Sequence, residues 1–187
     1  MLSERFDRAI LLATGLHRDQ VRKGTAIPYV SHLLAVTALV LEHGGSEDDA
    51  IAAVLHDAAE DQGGLPTLDR IRTDFGAHVA ELVAAVSDTF ADVKPPWRER
   101  KERYLAHLAE ADPGAVRISL ADKLHNARCT LYDVRALGAE AWTRFEGGRD
   151  GTLWYLRAVL DVARARASHP RLADHLEEVV SALERAG

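Results

Sequence analysis

The densest chemistry in this chain lies at residues 56–61, His56-Asp57-Ala58-Ala59-Glu60-Asp61. Read as one helical stretch, His56 stands a turn from Glu60 and Asp57 a turn from Asp61. Two metal-capable groups and two acids then share one side. The apolar neighbours Val54, Leu55 and Ala58 argue that the turn is partly buried, where an unpaired charge is costly. A divalent cation is the simplest partner. His32, at the start of an upstream helix, and Asp122, in the stretch Ser119 to Asn126, extend the set to four candidate ligands. Two imidazoles and two carboxylates make a mixed nitrogen–oxygen shell. It suits one Mn²⁺, with Fe²⁺ or Zn²⁺ as alternatives, better than Ca²⁺ or a thiolate-bound ion. Such an ion turns water into a nucleophile near neutral pH.

Helices must position these groups, because the apolar periodicity is helical nearly everywhere. Phe6, Ile10, Ala13, His17 and Gln20 follow a three-to-four step behind Ser3, a capping residue, and predict a first helix ending at the loop Gly24 to Pro28. A second helix is expected from near His32 to Gly44-Gly45. Ser46 with Asp49 resembles a capping box and opens a third, predicted to run through Leu55 and Ala58 to Gly63-Gly64. Thr67 is expected to cap a short helix, and another should span about Ala77 to Ser87. Pro95-Pro96 precedes a charged helix from Trp97 to Ala109, and Asp112-Pro113 starts the helix carrying Asp122. Two or three more helices fill Ala139 to Ala186. No stretch combines period-two alternation with β-branched enrichment, so the expected fold is all-α. We expect one compact domain over 1–187, a bundle of about eight to ten helices with the C-terminal ones (about 139–187) packed on the core.

Composition narrows the class. The 187 residues carry a net charge of −6, a single cysteine and 47% hydrophobic side chains. That apolar content excludes a disordered chain, and one cysteine excludes an internal disulfide framework. The acidic balance argues against a nucleic-acid partner. No stretch approaches the roughly 20 apolar residues of a membrane span, and the start lacks the pattern of a secretory signal. A soluble, cytoplasmic protein without a membrane partner is expected.

Three blocks together resemble a known family. They are Arg22-Lys23-Gly24 before Pro28-Tyr29-Val30-Ser31-His32; Leu55-His56-Asp57-Ala58-Ala59-Glu60-Asp61; and Leu120-Ala121-Asp122-Lys123-Leu124-His125-Asn126-Ala127-Arg128. The pattern His32…His56-Asp57…Asp122 is similar to the HD-domain metal phosphohydrolases. The full blocks resemble the hydrolase domain of RelA/SpoT proteins and the stand-alone small alarmone hydrolases, over roughly residues 1 to 165. The resemblance implies an all-helical domain holding one Mn²⁺ that removes the 3′-pyrophosphate of ppGpp or pppGpp. It implies His32, His56, Asp57 and Asp122 as metal ligands and Glu60 and Asp61 as the acids handling the attacking water and its proton. It also implies Arg22 and Lys23 as nucleotide contacts and Asn126 as a nucleoside contact. Alternatives are an HD phosphohydrolase of another nucleotide or phosphorylated metabolite, or a non-catalytic nucleotide-sensing module.

Other segments invite two readings each. Trp142 to Tyr155 can line a substrate wall, with Arg144 or Arg149 reaching phosphates, or pack the last helices onto the core, and packing is favoured. Arg100 and Lys101 are expected to be solvated, with phosphate contact as the alternative. Cys129 reads as a small buried thiol in a helix. There is no phosphate loop of the GxxxxGK[ST] type, no GxGxxG and no GxSxG turn.

Overall fold

The computed structural model describes residues 1–90 and 94–186. Among them are ten α-helices, one 3-10 segment and no strand. The helices are α1 (Glu4–Leu16), α2 (Val30–Glu42), α3 (Glu47–Val54), α4 (Ala58–Asp61), α5 (Gly64–Phe75), α6 (Ala77–Val86), α7 (Trp97–Glu110), α8 (Pro113–Leu137), α9 (Gly148–Ala165) and α10 (Pro170–Ala186), with the 3-10 segment Gly138–Arg144 between α8 and α9.

The long helix α8 is the axis. Asp112 caps it by accepting from the Gly114 amide at 2.7 Å, with Pro113 in its first turn. Ala115, Val116, Ile118, Leu120, Ala121 and Leu124 are all fully buried. Apolar residues on every side of a helix require neighbours on every side, and α2, α3, α6, α9 and α10 supply them. Each fully buried leucine contributes about 1.5–3 kcal/mol relative to exposure. Helix α10 lies along α8 and α9 through Leu172, Leu176, Val180 and Leu183. No described helix is long and apolar enough to cross a membrane.

The predicted capping box forms: the Asp49 amide donates to Ser46 Oγ at 3.1 Å and the Ser46 amide to Asp49 Oδ2 at 2.8 Å. The helix it opens is shorter than expected. It stops at Val54, and Leu55-His56-Asp57 form a turn before α4. Leu55 (φ −104°, ψ 5°) and Asp57 (φ −96°, ψ −3°) sit in the bridge region. The imidazole of His56 donates through Nδ1 to the Ala53 carbonyl at 2.8 Å, competing for a helical acceptor. This corrects the one-helix reading of 56–61. Consecutive residues of a continuous helix diverge by about 100°, whereas here Nε2 of His56 and Oδ2 of Asp57 come to 2.9 Å.

Two other boundaries differ. Helix α1 ends at Leu16, with His17 to Gln20 in a turn. Helix α5 starts at Gly64, and Thr67 donates its hydroxyl to the Gln62 carbonyl at 2.6 Å instead of capping. Between α1 and α2 an isolated bridge pairs Val21 with Pro28. The Arg22 amide donates to the Ile27 carbonyl at 2.8 Å, and Gly24 (φ 75°) supplies the left-handed residue of the loop so closed.

Candidate metal centre

Three elements aim side chains at one point. His32 stands in the first turn of α2, His56 and Asp57 on the turn between α3 and α4, and Asp122 midway along α8. One ligand atom each from His32, His56 and Asp57 lies within 4.8 Å of the other two. Nε2 of His56 is 2.9 Å and Nε2 of His32 3.7 Å from Asp57 Oδ2. Asp122 joins from α8, its Oδ1 3.2 Å from Nε2 of His32 and 3.9 Å from Nε2 of His56. The two imidazoles are 1% and 2% exposed, so this convergence is internal.

The donor set fits a metal ion on an observation independent of any family. Nε2 of His56 is buried and makes no hydrogen bond, despite the nearby carboxylate. Its partner nitrogen donates to the Ala53 carbonyl, which leaves Nε2 as the ring atom turned into the cluster. A buried imidazole nitrogen turned toward two carboxylates, with no aligned hydrogen bond, is a donor that suits a divalent ion once its proton is displaced.

Electrostatics agree. Burial opposes a charge on His56, yet Asp57 and Asp122 outweigh it and push its pKa up to about 9. Burial lowers the pKa of His32 against the pull of Asp122. Burial works against the charge of both acids, but His56 and His32 hold the Asp57 carboxyl below its usual range, and Lys123 with His32 does the same for Asp122. Without an ion, the cluster keeps its carboxylates charged by keeping a proton on an imidazole.

The surrounding shell contains residues that sequence reasoning passed over. The Tyr29 hydroxyl donates to Asp57 Oδ2 at 2.7 Å. Lys123 donates to Asp122 Oδ2, and the Asn126 amide to Asp122 Oδ1. Nδ1 of His125 lies 2.8 Å from Nδ1 of His32. Tyr29, Lys123 and His125 all belong to the motif blocks. The spacing of His125 and Asn126, three and four residues after Asp122, was the available signal for a shared helix face.

The remaining predicted residues divide. Arg22 reaches the site: its Nη2 donates to Asn126 Oδ1 at 2.5 Å, and its guanidinium lies 5.6 Å from the Tyr29 ring centroid. Lys23 is exposed and is not brought to the cluster by any described contact. Glu60 and Asp61 take different neighbours. Glu60 accepts from Lys94 at 3.0 Å and from the Asp88 amide at 2.8 Å, whereas Asp61 Oδ2 accepts from Gln20 at 2.8 Å. Protein bulk around the Asp61 carboxyl, and then the charge of Asp57, push its pKa above the ordinary carboxylate value.

Arg100 and Lys101 are not solvated, contrary to expectation. Asp88 is buried after α6 and draws both: Arg100, 7% exposed, pairs with its Oδ2, and Lys101 lies 3.3 Å from its Oδ1. A buried carboxylate needs such partners. Trp142 and Tyr155 are buried, Tyr155 against Trp97 and Tyr104. Arg144 pairs with Asp133, and Arg149 donates to the Glu184 carbonyl at 3.1 Å. Cys129 is half-buried, its Sγ 3.7 Å from Nε2 of His125.

An all-α bundle presenting two histidines and two aspartates from separate elements to one point defines the HD class of helical domains. The HD-domain family model matches residues 9–153, and the chain belongs to that family. It is 36% identical over 130 residues to the human protein named guanosine-3′,5′-bis(diphosphate) 3′-pyrophosphohydrolase MESH1, spanning 68% of each chain. It is 36% identical over 128 residues to a GTP pyrophosphokinase of Streptomyces antibioticus, a match spanning 67% of this chain and 15% of that longer protein. A solved structure described as a metazoan ortholog of SpoT that hydrolyses ppGpp superposes with a TM-score of 0.77 at 26% identity. That superposition covers 96% of this chain and 95% of the other.

Proposed function

We propose that this protein is a metal-dependent 3′-pyrophosphohydrolase of ppGpp and pppGpp, releasing GDP or GTP and pyrophosphate. The observation that carries the proposal is the meeting of His32, His56, Asp57 and Asp122 around the buried Nε2 of His56. The names of its relatives, which share two-thirds of its length, supply the substrate.

His32, His56, Asp57 and Asp122 would hold one divalent ion, Mn²⁺ on the balance of nitrogen and oxygen donors. Such an ion, when bound, supplies Lewis acidity at a phosphate oxygen and lowers the pKa of water. The chain's own residues do the rest. Tyr29 fixes Asp57 Oδ2, and Asn126 with Lys123 fixes the two oxygens of Asp122, so the carboxylates are held before substrate arrives. Gln20 occupies Asp61 Oδ2 and leaves Oδ1 to take the proton of the attacking water. The raised pKa of Asp61 suits that proton transfer. Glu60, tethered by Lys94 and the Asp88 amide, is the second acid of the pair. In the hydrolysis the water oxygen joins the 3′-linked phosphorus, the bond from that phosphorus to the ribose 3′ oxygen breaks, and the 3′ oxygen leaves with a proton.

Arg22 and Asn126 form the nucleoside side of the site. Their bond across the Tyr29 face gives a planar, donor-rich wall suited to a base and its sugar. Lys23, exposed on the same loop, adds a positive charge for phosphate. We read residues 1–187 as one domain, since α10 packs along both α8 and α9. A cytoplasmic enzyme on a free nucleotide, with neither nucleic acid nor membrane as partner, fits the lone cysteine and the charge of −6.

Purified protein with Mn²⁺ and ppGpp tests the proposal. Equimolar GDP and pyrophosphate are expected. Intact ppGpp, or faster turnover of another nucleotide in a substrate panel, overturns it.

A further inference from the structure

His17 follows the last residue of α1, is 2% exposed, and has no part in the ligand set or the proton transfer described above. Its ring stacks on Tyr29, with centroids 5.3 Å apart and planes 16° from parallel. Nδ1 lies 2.6 Å from Gln20 Oε1, whereas Nε2 is buried and has no hydrogen-bond partner among the described residues. Gln20 stands between that ring and Asp61. Gln62 Nε2 donates to the same Oε1 at 2.6 Å, and Gln20 Nε2 donates to Asp61 Oδ2 at 2.8 Å. The backbone holds the turn: the Gln20 amide donates to the His17 carbonyl at 3.2 Å and the Tyr29 amide to the Gln20 carbonyl at 2.9 Å.

An amide among these neighbours has two orientations, and each demands a different pattern of protons. With Nε2 towards Asp61, Gln20 donates to a charged carboxylate and accepts from His17 Nδ1 and from Gln62. Turned over, its Oε1 would need a protonated Asp61, and its Nε2 would need a bare Nδ1 on His17. The hydrogen of His17 would then sit on Nε2. That nitrogen is buried with no acceptor, and a buried N–H left unpaired is costly. His17 therefore keeps its hydrogen on Nδ1 and donates it to Gln20, which fixes the amide. Tyr29, stacked on His17, gives its own hydrogen to Asp57 Oδ2 and does not compete for Gln20. Burial of Asp61, with the charges of Asp57 and Glu60, favours the neutral acid, and the bond from Gln20 opposes them.

We propose that His17 is a positioning residue for the hydrolysis: acting through Gln20, it presents an N–H to Asp61 Oδ2 and holds that carboxyl in its charged, proton-accepting form. As a role in turnover this rests on the reading above of Asp61 as the acid that takes the proton of water. General-base catalysis needs the base unprotonated and aimed, and one buried ring at the end of α1 serves both needs.

The test is a carboxyl ¹³C NMR titration of Asp61 in the full chain loaded with diamagnetic Zn²⁺, alongside kcat against pH with Mn²⁺ and ppGpp. Wild type is compared with His17→Phe, which keeps an aromatic ring on Tyr29, with Gln20→Met, and with the double variant. In His17→Phe the Asp61 midpoint should rise by about half a pH unit or more, the effect of losing one hydrogen bond to the charged form. The acidic limb of kcat should move up with it. Gln20→Met should raise the midpoint at least as far, and the double variant no further than Gln20→Met, because His17 acts through Gln20. A merely structural role would lower the stability of His17→Phe and leave the midpoint in place. An unmoved midpoint in either single variant, or a double variant displaced beyond Gln20→Met, overturns the proposal. If the midpoints move as expected but wild type leaves ppGpp intact, the hold of His17 on Asp61 stands and the hydrolase reading falls. If ppGpp is cleaved and the midpoints stay, the hydrolase reading stands and the role of His17 falls.

Discussion

Nδ1 of His32 and Nδ1 of His125 stand 2.8 Å apart, so one imidazole donates a hydrogen bond that the other accepts. With Nε2 of His32 given to an ion beside Asp57 and Asp122, the hydrogen would belong on Nδ1, where His125 accepts it. Burial, with His32 and Arg22 nearby, holds the His125 pKa down at about 4, so His125 is a neutral acceptor at physiological pH. His125→Phe should therefore weaken metal affinity about 10–100-fold, read by competition with a chelating dye. His125→Asn, which keeps an acceptor, should lie nearer wild type. Equal affinity for His125→Phe and wild type would remove His125 from the metal's support.

Metal affinity should rise with pH. In the metal-free protein His56 keeps its proton up to about pH 9, and an ion must displace it. Apparent affinity should then improve about tenfold per pH unit below that point and level off above it. The linkage to stability has the same origin. A folded pKa raised above the unfolded value gives stability that is complete below the unfolded value and lost as pH rises through about 9. Manganese should consequently raise Tm more at alkaline than at neutral pH. A metal-induced shift independent of pH would contradict the His56 assignment.

Asp61→Asn should lower kcat about 10²–10⁴-fold while metal affinity holds. In wild type the acidic limb of the kcat profile should lie above the ordinary carboxylate range, since the Asp61 pKa is raised, and activity should fall as pH drops through it. Asp57→Ala, by contrast, should lose metal and activity together. Unchanged kcat in Asp61→Asn would take that carboxylate out of the proton path.

Arg100→Ala strips the buried Asp88 of its main partner and should destabilise the fold by about 3–5 kcal/mol. Arg103→Ala, on an exposed pair with Glu99, should cost less than about 1 kcal/mol. Chemical denaturation of the two variants checks the contrast; equal losses would contradict the ordering.

The parts legible in the sequence were those set by local rules. Ser46 with Asp49 and Asp112 with Pro113 announce helix starts because a cap bonds within its own first turn. The four ligand candidates were legible chiefly because the blocks around His32, His56-Asp57 and Asp122 resemble those of HD-domain phosphohydrolases. What escaped depends on distant partners. The break at Leu55-His56-Asp57 follows from the His56 imidazole taking the Ala53 carbonyl, a bond that helical periodicity cannot foresee. Arg100 and Lys101 look like ordinary surface charges until Asp88 folds in beside them. The supporting roles of Tyr29 and His125 span 28 and 93 residues of chain and exist only once α2, the α3–α4 turn and α8 have met.

Diffraction at the manganese absorption edge, from crystals grown with Mn²⁺, tests the central claim most directly. A single anomalous peak is expected within bonding distance of Nε2 of His32, Nε2 of His56 and a carboxylate oxygen each of Asp57 and Asp122. A fully loaded crystal with its peak elsewhere, or with none between those four side chains, would contradict the account.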